Sequence, residues 1–574
     1  MKIKHLFGLA VIAAMTASCS SNEDLGTAGP GTGTNETGVG YATFTINLPS
    51  VSGTRAADAG GAEMDEGTAK EYAVKSATAL IFQKFGSDEG SCKFVESVDL
   101  PTAAADWTDD TTDGITTTKK LVAKLTNVDT KNQYYVLVLL NNNKNKTGGV
   151  KVALPTVGQS YNEWNSQILT PSVDDLAADN DFYMANAPLK GTASPTTLVT
   201  IDKEHIYSSK EKAEAGTSAA TVYVERGVAK MSVNDPKTKT VIDKATNTPT
   251  QSTVEFNNWA LDITNKRTYA VHNIDGLSTD FPDIWTTPRF IGTNSRVYWG
   301  KDPNYNLDNL NTGKEAEREA EFNFIKATSG INKTFTESAY CLENTFNLAN
   351  MYQGQTTRVI FKATYTPKDD AGNPLADKDG TFYTIGNMTT ILKETALETA
   401  VNTAATSVLP GCTVDYTNLK QEGSHVITLA DIKDSTGTTL VADRDYNGKT
   451  GTEIVKEIND KLGLIDGAGH AEAMVGINTY AQGVTYYIAR VKHFGSLTPW
   501  NSGESYGTDN AKYLGRYGML RNNWYDLTVG NVYGPGYPGV PPVDPNQPDD
   551  ENEKYLSVSV KILSWAKRSD TVDL

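Results

Sequence analysis

Cysteine, histidine, positive charge and long hydrophobic runs are all scarce in this chain, and each shortage excludes something. Four Cys and six His are spread over 574 residues. So few, widely separated cysteines do not make the dense framework of a small disulfide-stapled domain. His205, His272, His425, His470 and His493 show no metal-ligand spacing, and no H-E-x-x-H occurs. Lys and Arg number 52 against 69 Asp and Glu, a formal net charge of −17 with a pI near 4.9. That balance argues against a nucleic-acid backbone or an anionic membrane surface as partner. The apolar stretch Leu6 to Met15 is about half of the ~20 residues that a membrane-spanning helix needs.

Catalytic constellations are missing as well. Gly503-Glu504-Ser505-Tyr506-Gly507 fits G-x-S-x-G, but its flanks are polar loop sequence, whereas a nucleophile elbow needs an apolar strand before it and a helix after it. Gly448-Lys449-Thr450 resembles the tail of a phosphate-binding loop, yet Asp443 stands where the first glycine is required. Asp443, Asp445 and Asn447 with Gly448 read like the opening of a calcium loop. The expected Glu falls one place early, at Glu453, so an Asx-rich turn before a helix is the favoured reading. No enzyme activity and no cofactor are expected.

What is present is hydrophobic alternation. Hydrophobic residues make up 39% of the chain, with 27 Tyr, 16 Phe and 8 Trp, enough to build cores and to exclude wholesale disorder. Short apolar runs at Ala79–Phe82, Tyr134–Leu140, Val222–Val224, Val359–Tyr365, Val484–Val491 and Trp524–Val529 are separated by Thr/Asn/Gly/Asp-rich connections. That pattern suits an all-β chain of two sandwiches in tandem. Minor helices are expected at 315–322, 391–401 and 453–462, the last stopping at Gly463. Asp235-Pro236 breaks the pattern and suggests domains over 56–235 and 236–532.

The two ends are built differently. Lys2, Lys4, the apolar stretch and Thr16-Ala17-Ser18-Cys19 have the form of a lipoprotein signal over 1–18, with Cys19 as the lipidated residue. A Gly/Thr/Pro-rich tether follows. Ala42, Phe44, Ile46 and Leu48 then alternate with polar residues, the period of a half-buried strand. A small, Gly-rich stretch with one basic residue, Arg55, comes next, and an isolated Arg in such a stretch is an accessible site for trypsin-like cleavage. At the other end, 533–553 is Pro/Gly-rich and then acidic, expected to be a semi-rigid linker. Beyond it Leu556, Val558, Val560 and Ile562 alternate again, followed by Leu563 and Trp565. An apolar strand needs a receiving sheet, either its own or a neighbour's.

These pieces, in this order, resemble the fimbrillins of the Bacteroidia, shaft subunits of type V pili, and more narrowly the Mfa-type minor-fimbrium shaft subunit. The similar segments are YATFTINLPS with Arg55 behind it, YYVLVLLNNN, VYVERGVAKMSV, YCLENTF, TTRVIFKATYTP, GVTYYIARVKH, RNNWYDLTV and the ending YLSVSVKILSWAKRSDTVDL. The resemblance implies transthyretin-like, Greek-key sandwiches with a C-terminal donor-strand tail. It implies an outer-membrane lipoprotein precursor (palmitate on Cys19), made by lipoprotein export and lipidation machinery and then extracellular in the fimbrium. An Arg-specific trypsin-like protease would cut between Arg55 and Ala56, so that 19–55 is a propeptide. The strand Ala42, Phe44, Ile46, Leu48 would leave its groove, and a neighbour's Leu556, Val558, Val560, Ile562, Leu563 and Trp565 would fill it. Partners would be copies of the chain, accessory tip and anchor subunits, and host or bacterial surface receptors. Adhesion, coaggregation, biofilm formation and virulence would follow.

With Cys19 lipidated, Cys92, Cys341 and Cys412 remain, an odd number that permits at most one internal disulfide. The competing reading is a monomeric surface lipoprotein that binds glycans through sandwich loops carrying Trp259, Trp285, Trp299 or Trp500.

Overall fold

The computed structural model describes residues 33–35, 37–49, 67–102, 109–110, 116–145, 149–190, 195–277, 297, 299–307, 310, 313–468, 474–493, 514–549 and 556–564. The chain is mostly β with minor helices. Among the described residues no helix is long and apolar enough to cross a membrane.

The first unit contains β1 (Gly40–Asn47), α1 (Ala69–Tyr72), β2 (Ala77–Gln83), β3 (Lys93–Leu100), β4 (Thr116–Leu125), β5 (Tyr134–Leu140), β6 (Met184–Asn186), β7 (Val199–Ile201), β8 (Ile206–Tyr207), α2 (Lys210–Ala215) and β9 (Ala220–Arg226). Its strands follow the order β3-β2-β5-β6-β9-β1-β4, with β7 beside β5 and β8 beside β1. β9 joins two halves. Its beginning runs parallel to β1, from Phe44↔Ala220 to Asn47↔Tyr223. Its end runs antiparallel to β6, from Met184↔Arg226 to Asn186↔Val224. The apolar run of β5 fits a strand covered on both faces, and Val136 to Leu140 are all fully buried. Phe44, Ile46, Leu80, Phe82, Val136 and Val222 share one hydrophobic core.

The second unit contains β10 (Ala229–Val233), β11 (Thr238–Asp243), β12 (Thr248–Asp262), α3 (Glu315–Glu321), β13 (Ala339–Cys341) and β14 (Arg358–Thr366). After an insertion described below it resumes with β18 (Val484–Arg490), β19 (Asn523–Val532) and β20 (Leu556–Ser564). The order is β13-β10-β19-β11-β12-β14-β18, with β20 beside β19. Met231, Val254, Phe256, Phe361, Tyr487 and Leu527 lie in its core.

The sheets change hands at Gly227-Val228, upstream of the boundary expected at 235. Asp235-Pro236-Lys237 is instead the turn from β10 to β11 inside the second unit, where the Lys237 N–H donates to Asp235 Oδ1 at 2.9 Å. A Pro-containing turn signal marks a change of direction, not necessarily a change of domain. Gly227 fits the joint because a Cβ there would lie 2.8 Å from the Tyr183 ring.

Between β14 and β18 the chain builds a third core. It contains β15 (Phe382–Ile385), α4 (Glu394–Val408), β16 (Gly423–His425), α5 (Gly451–Leu462) and β17 (Ile477–Tyr480), with strand order β15-β17-β16. Leu397, Val401 and Ala405 of α4 pack in one cluster with Ile454 and Ile458 of α5. Thr450 caps α5 in a reciprocal box with Glu453, and Gly463 ends it in the left-handed conformation at φ 67°. The sequence pattern locates these helices; it does not reveal that they share a core of their own.

Cys92, Cys341 and Cys412 are free and buried. Burial pushes the Cys341 thiol up to about 12.

Candidate functional site

β1 is the centre of the site. Its apolar face is sealed: Ala42, Phe44 and Ile46 are fully buried and Leu48 is 4% exposed. On one side it pairs antiparallel with β4 along its whole length, from Gly40↔Leu125 to Asn47↔Thr118. On the other it meets β8 at Tyr41↔Tyr207 and then β9. Both edges of β1 are thus hydrogen-bonded.

The polar face of β1 is also engaged. Thr43 Oγ1 donates to the Ala213 carbonyl at 2.7 Å beneath α2, and Thr43 is only 2% exposed. The Thr45 and Ser218 hydroxyls lie 2.7 Å apart. Asn47 Nδ2 donates to the Val222 carbonyl at 3.4 Å, and Asn47 Oδ1 accepts from Thr118 Oγ1 at 2.8 Å. The stretch after β1 that carries Arg55 and Ala56 lies outside the described residues, as do Cys19 and Trp565.

The C-terminal strand β20 is received by its own chain in this monomer. It runs antiparallel to β19, with Val558 opposite Val529, Val560 opposite Leu527, Ile562 opposite Tyr525 and Leu563 opposite Trp524. Leu556 is placed opposite Val532 across a register shift. Of the two acceptors left open by the sequence, the monomer uses its own sheet.

The Pro-rich segment before it is a strap laid on the second unit, not a free linker. Tyr486 and Tyr537 exchange backbone hydrogen bonds at 2.9 and 2.7 Å, which covers the outer edge of β18. The Tyr480 and Tyr487 hydroxyls donate to the carbonyls of Gly536 and Gly534 at 2.9 and 2.8 Å. Arg358 donates to the Pro541 and Pro542 carbonyls at 2.7 and 3.0 Å while its Nε holds Asp262 at 2.8 Å. Thr356 Oγ1 donates to Asp549 Oδ1 at 2.6 Å. Proline carbonyls remain acceptors even though proline nitrogens cannot donate, so a segment that reads as a tether by composition can be fully docked.

A buried polar junction joins the first two units, and sequence spacing did not reveal it. Glu71 of α1 is 2% exposed and accepts from Lys230 Nζ at 2.7 Å and the Tyr340 hydroxyl at 2.6 Å. Arg226 Nε donates to the Glu71 carbonyl at 3.0 Å, and its backbone N–H donates to Asn522 Oδ1 at 3.1 Å. The Lys230 ammonium lies 3.6 Å from the centre of the Trp524 indole. Burial works against ionised Glu71, but the Lys230 charge, with hydrogen bonds from Lys230, Tyr340 and Thr68, holds its carboxyl below the ordinary value. The available signal was three charged residues, Glu225, Arg226 and Lys230, inside the strand pattern of 222–233.

The remaining candidates are dispersed. Asp445 Oδ1 accepts the Gly448 N–H at 2.6 Å, Asn447 is left-handed at φ 60°, and Asp443 lies on the same turn leading to the α5 cap. The Asp445 carboxylate thus bonds the backbone three residues along, within a tight turn before α5. Among the described residues no three His, Cys, Asp or Glu are grouped to hold a metal. Trp259 is fully buried and Trp299 is 1% exposed, so neither offers a ring to a glycan. Trp285, Trp500, His470 and the Gly503–Gly507 motif lie outside the described residues.

Residues 478–571 match the family described as major fimbrial subunit protein type IV, fimbrillin, C-terminal. That range takes in β18, β19, the strap and β20. No curated protein matches the chain significantly. Among solved structures, the chain is similar to the tip fimbrial protein Mfa3 from Porphyromonas gingivalis with C-terminal truncation, at 10% identity and a TM-score of 0.28, with 92% of this chain and 100% of that one covered. The region that runs from β18 to the C-terminal strand is thus similar to the C-terminal part of the fimbrillins, a family of fimbrial subunits.

Proposed function

We propose that the chain is a structural pilin precursor that polymerises by exchanging β1 for the C-terminal strand of another copy. The observation that supports this is the state of β1, a strand paired on both edges and buried on its apolar face, followed by the stretch that carries Arg55. Cutting between Arg55 and Ala56 breaks its covalent tie to the rest of the fold. Its loss opens two unpaired strand edges and an apolar trench, the kind of site that a complementary strand fills. The alternating residues Leu556, Val558, Val560 and Ile562 supply that complement. At ~1.5–3 kcal/mol per large buried side chain, four of them give roughly 6–12 kcal/mol before ordering costs.

In this reading Cys19 anchors the precursor to the outer membrane until cleavage, and the released subunit joins an extracellular fibre with adhesive function. Tip and anchor subunits, the protease and surface receptors are its partners. The strap stays docked and the donor reaches out from its end, so that β20 leaves β19 when it enters a neighbour. Treating the purified precursor with trypsin should give an SDS-resistant ladder on a gel, and removing residues 554–574 should abolish it. A cleaved protein that stays monomeric contradicts the proposal.

A further inference from the structure

The site fixes the direction and register in which a donor strand fits, not only its presence. Tyr41-Ala42-Thr43-Phe44-Thr45-Ile46-Asn47-Leu48 and Tyr555-Leu556-Ser557-Val558-Ser559-Val560-Lys561-Ile562 correspond type for type: tyrosine, apolar, hydroxyl, apolar, hydroxyl, apolar, long polar, apolar. We propose that the donor of a second copy enters the β1 slot in the same direction as β1, with Ser557 and Ser559 in the places of Thr43 and Thr45 and Lys561 in the place of Asn47. This rests on the strand-exchange reading above and adds the residues that select the register.

The polar face decides the direction. In this register Ser557 presents its hydroxyl to the Ala213 carbonyl that Thr43 now satisfies, and Ser559 meets Ser218 as Thr45 does. Entry in the opposite direction, centred on Ser559, puts Lys561 at the Thr43 position. That position is 2% exposed and lies beneath α2, where an unpaired ammonium is strongly disfavoured. The Asn47 position is itself 7% exposed, but the strand is ending there and its neighbours Thr118 and Tyr223 are not buried, so a lysine stem can carry its charge outward past them. The apolar face fits by exchange of volume. Leu556 is larger than Ala42, while Val558 is smaller than Phe44 two residues along on the same face. A one-residue slip would turn the serines into the core and the valines out.

Paired cysteines read the register directly. β1 places Thr43 opposite Val122 and Asn47 opposite Thr118 on β4, and directly opposed residues are close enough to bridge. After cleavage and mild oxidation, the S557C/V122C double variant should form covalent ladders between subunits, whereas S557C/T118C should not. Ladders from S557C/T118C instead overturn the direction. Normal non-covalent polymer with neither pair linked overturns the register. Failure of the unmodified cleaved protein to polymerise at all sinks the exchange reading beneath it. A second readout tests the hydroxyl: Ser557→Val should slow elongation roughly tenfold by leaving the Ala213 carbonyl unpaired, and Ser557→Thr should restore it. An unchanged rate in Ser557→Val removes the serine from the recognition.

Discussion

Glu71 is a buried carboxylate at the joint between the first two units. It ties the short helix α1 to Lys230 and Tyr340 of the second unit. Glu71→Ala leaves the Lys230 ammonium buried, with a side chain 4% exposed. The expected loss is about 3–5 kcal/mol, read as a lower denaturant midpoint. The pH dependence has a definite sign. The folded carboxyl lies below its ordinary value of 4.5, so its contribution is present above that value and is lost as pH falls through the folded pKa. Glu71→Gln should therefore flatten the part of the acid-unfolding profile that lies below about pH 4.5; an unaltered profile would show that the pair contributes nothing. Beyond the charges within the 222–233 strand pattern, none of this was legible in the sequence, because positions 71, 230 and 340 meet only through the fold. Ala42, Phe44, Ile46 and Leu48 were legible as one buried face because alternation is a local property of a strand.

At the scale of elements, the two terminal strands and the strap divide the work. Val560→Asp should leave the monomer folded, since β20 is an added strand on β19, yet block elongation by bringing a carboxylate into an apolar trench. Normal polymer yield from that variant would assign the donor role to another strand. The strap depends on Arg358, which bridges Asp262 and the Pro541 and Pro542 carbonyls. Arg358→Ala should free the 533–549 segment for limited proteolysis and lower stability by about 3–5 kcal/mol, because Asp262 stays buried without its partner. Equal protease resistance in the variant would show that the tyrosine contacts suffice. Sequence composition marked this segment as a semi-rigid linker. It missed the docking because the donors, Tyr480, Tyr487 and Arg358, sit far away in the chain.

Among the described residues the molecule has two tandem β units, a third core inserted into the second, and two strands of matching pattern, β1 and β20. The all-β character with minor helices was readable from alternation and from the caps around α5. The inserted core was not, because α4 and α5 each look like isolated amphipathic helices until Val401 and Ile458 share a cluster. The joint at Gly227-Val228 was obscured by a stronger turn signal at Asp235-Pro236. The net charge of −17 fits a solvated surface, whereas the proposed assembly turns on the alternating ends. The central claim is that β1 is vacated and its place taken. Mass spectrometry of washed fibres tests it most directly, by comparing the amount of the peptide that ends at Arg55 with that of the body. The account predicts fibres in which that peptide is depleted to a few per cent or less and the sequence Leu556–Trp565 is present in every subunit. Fibres that retain the β1 peptide in equal amount would contradict it.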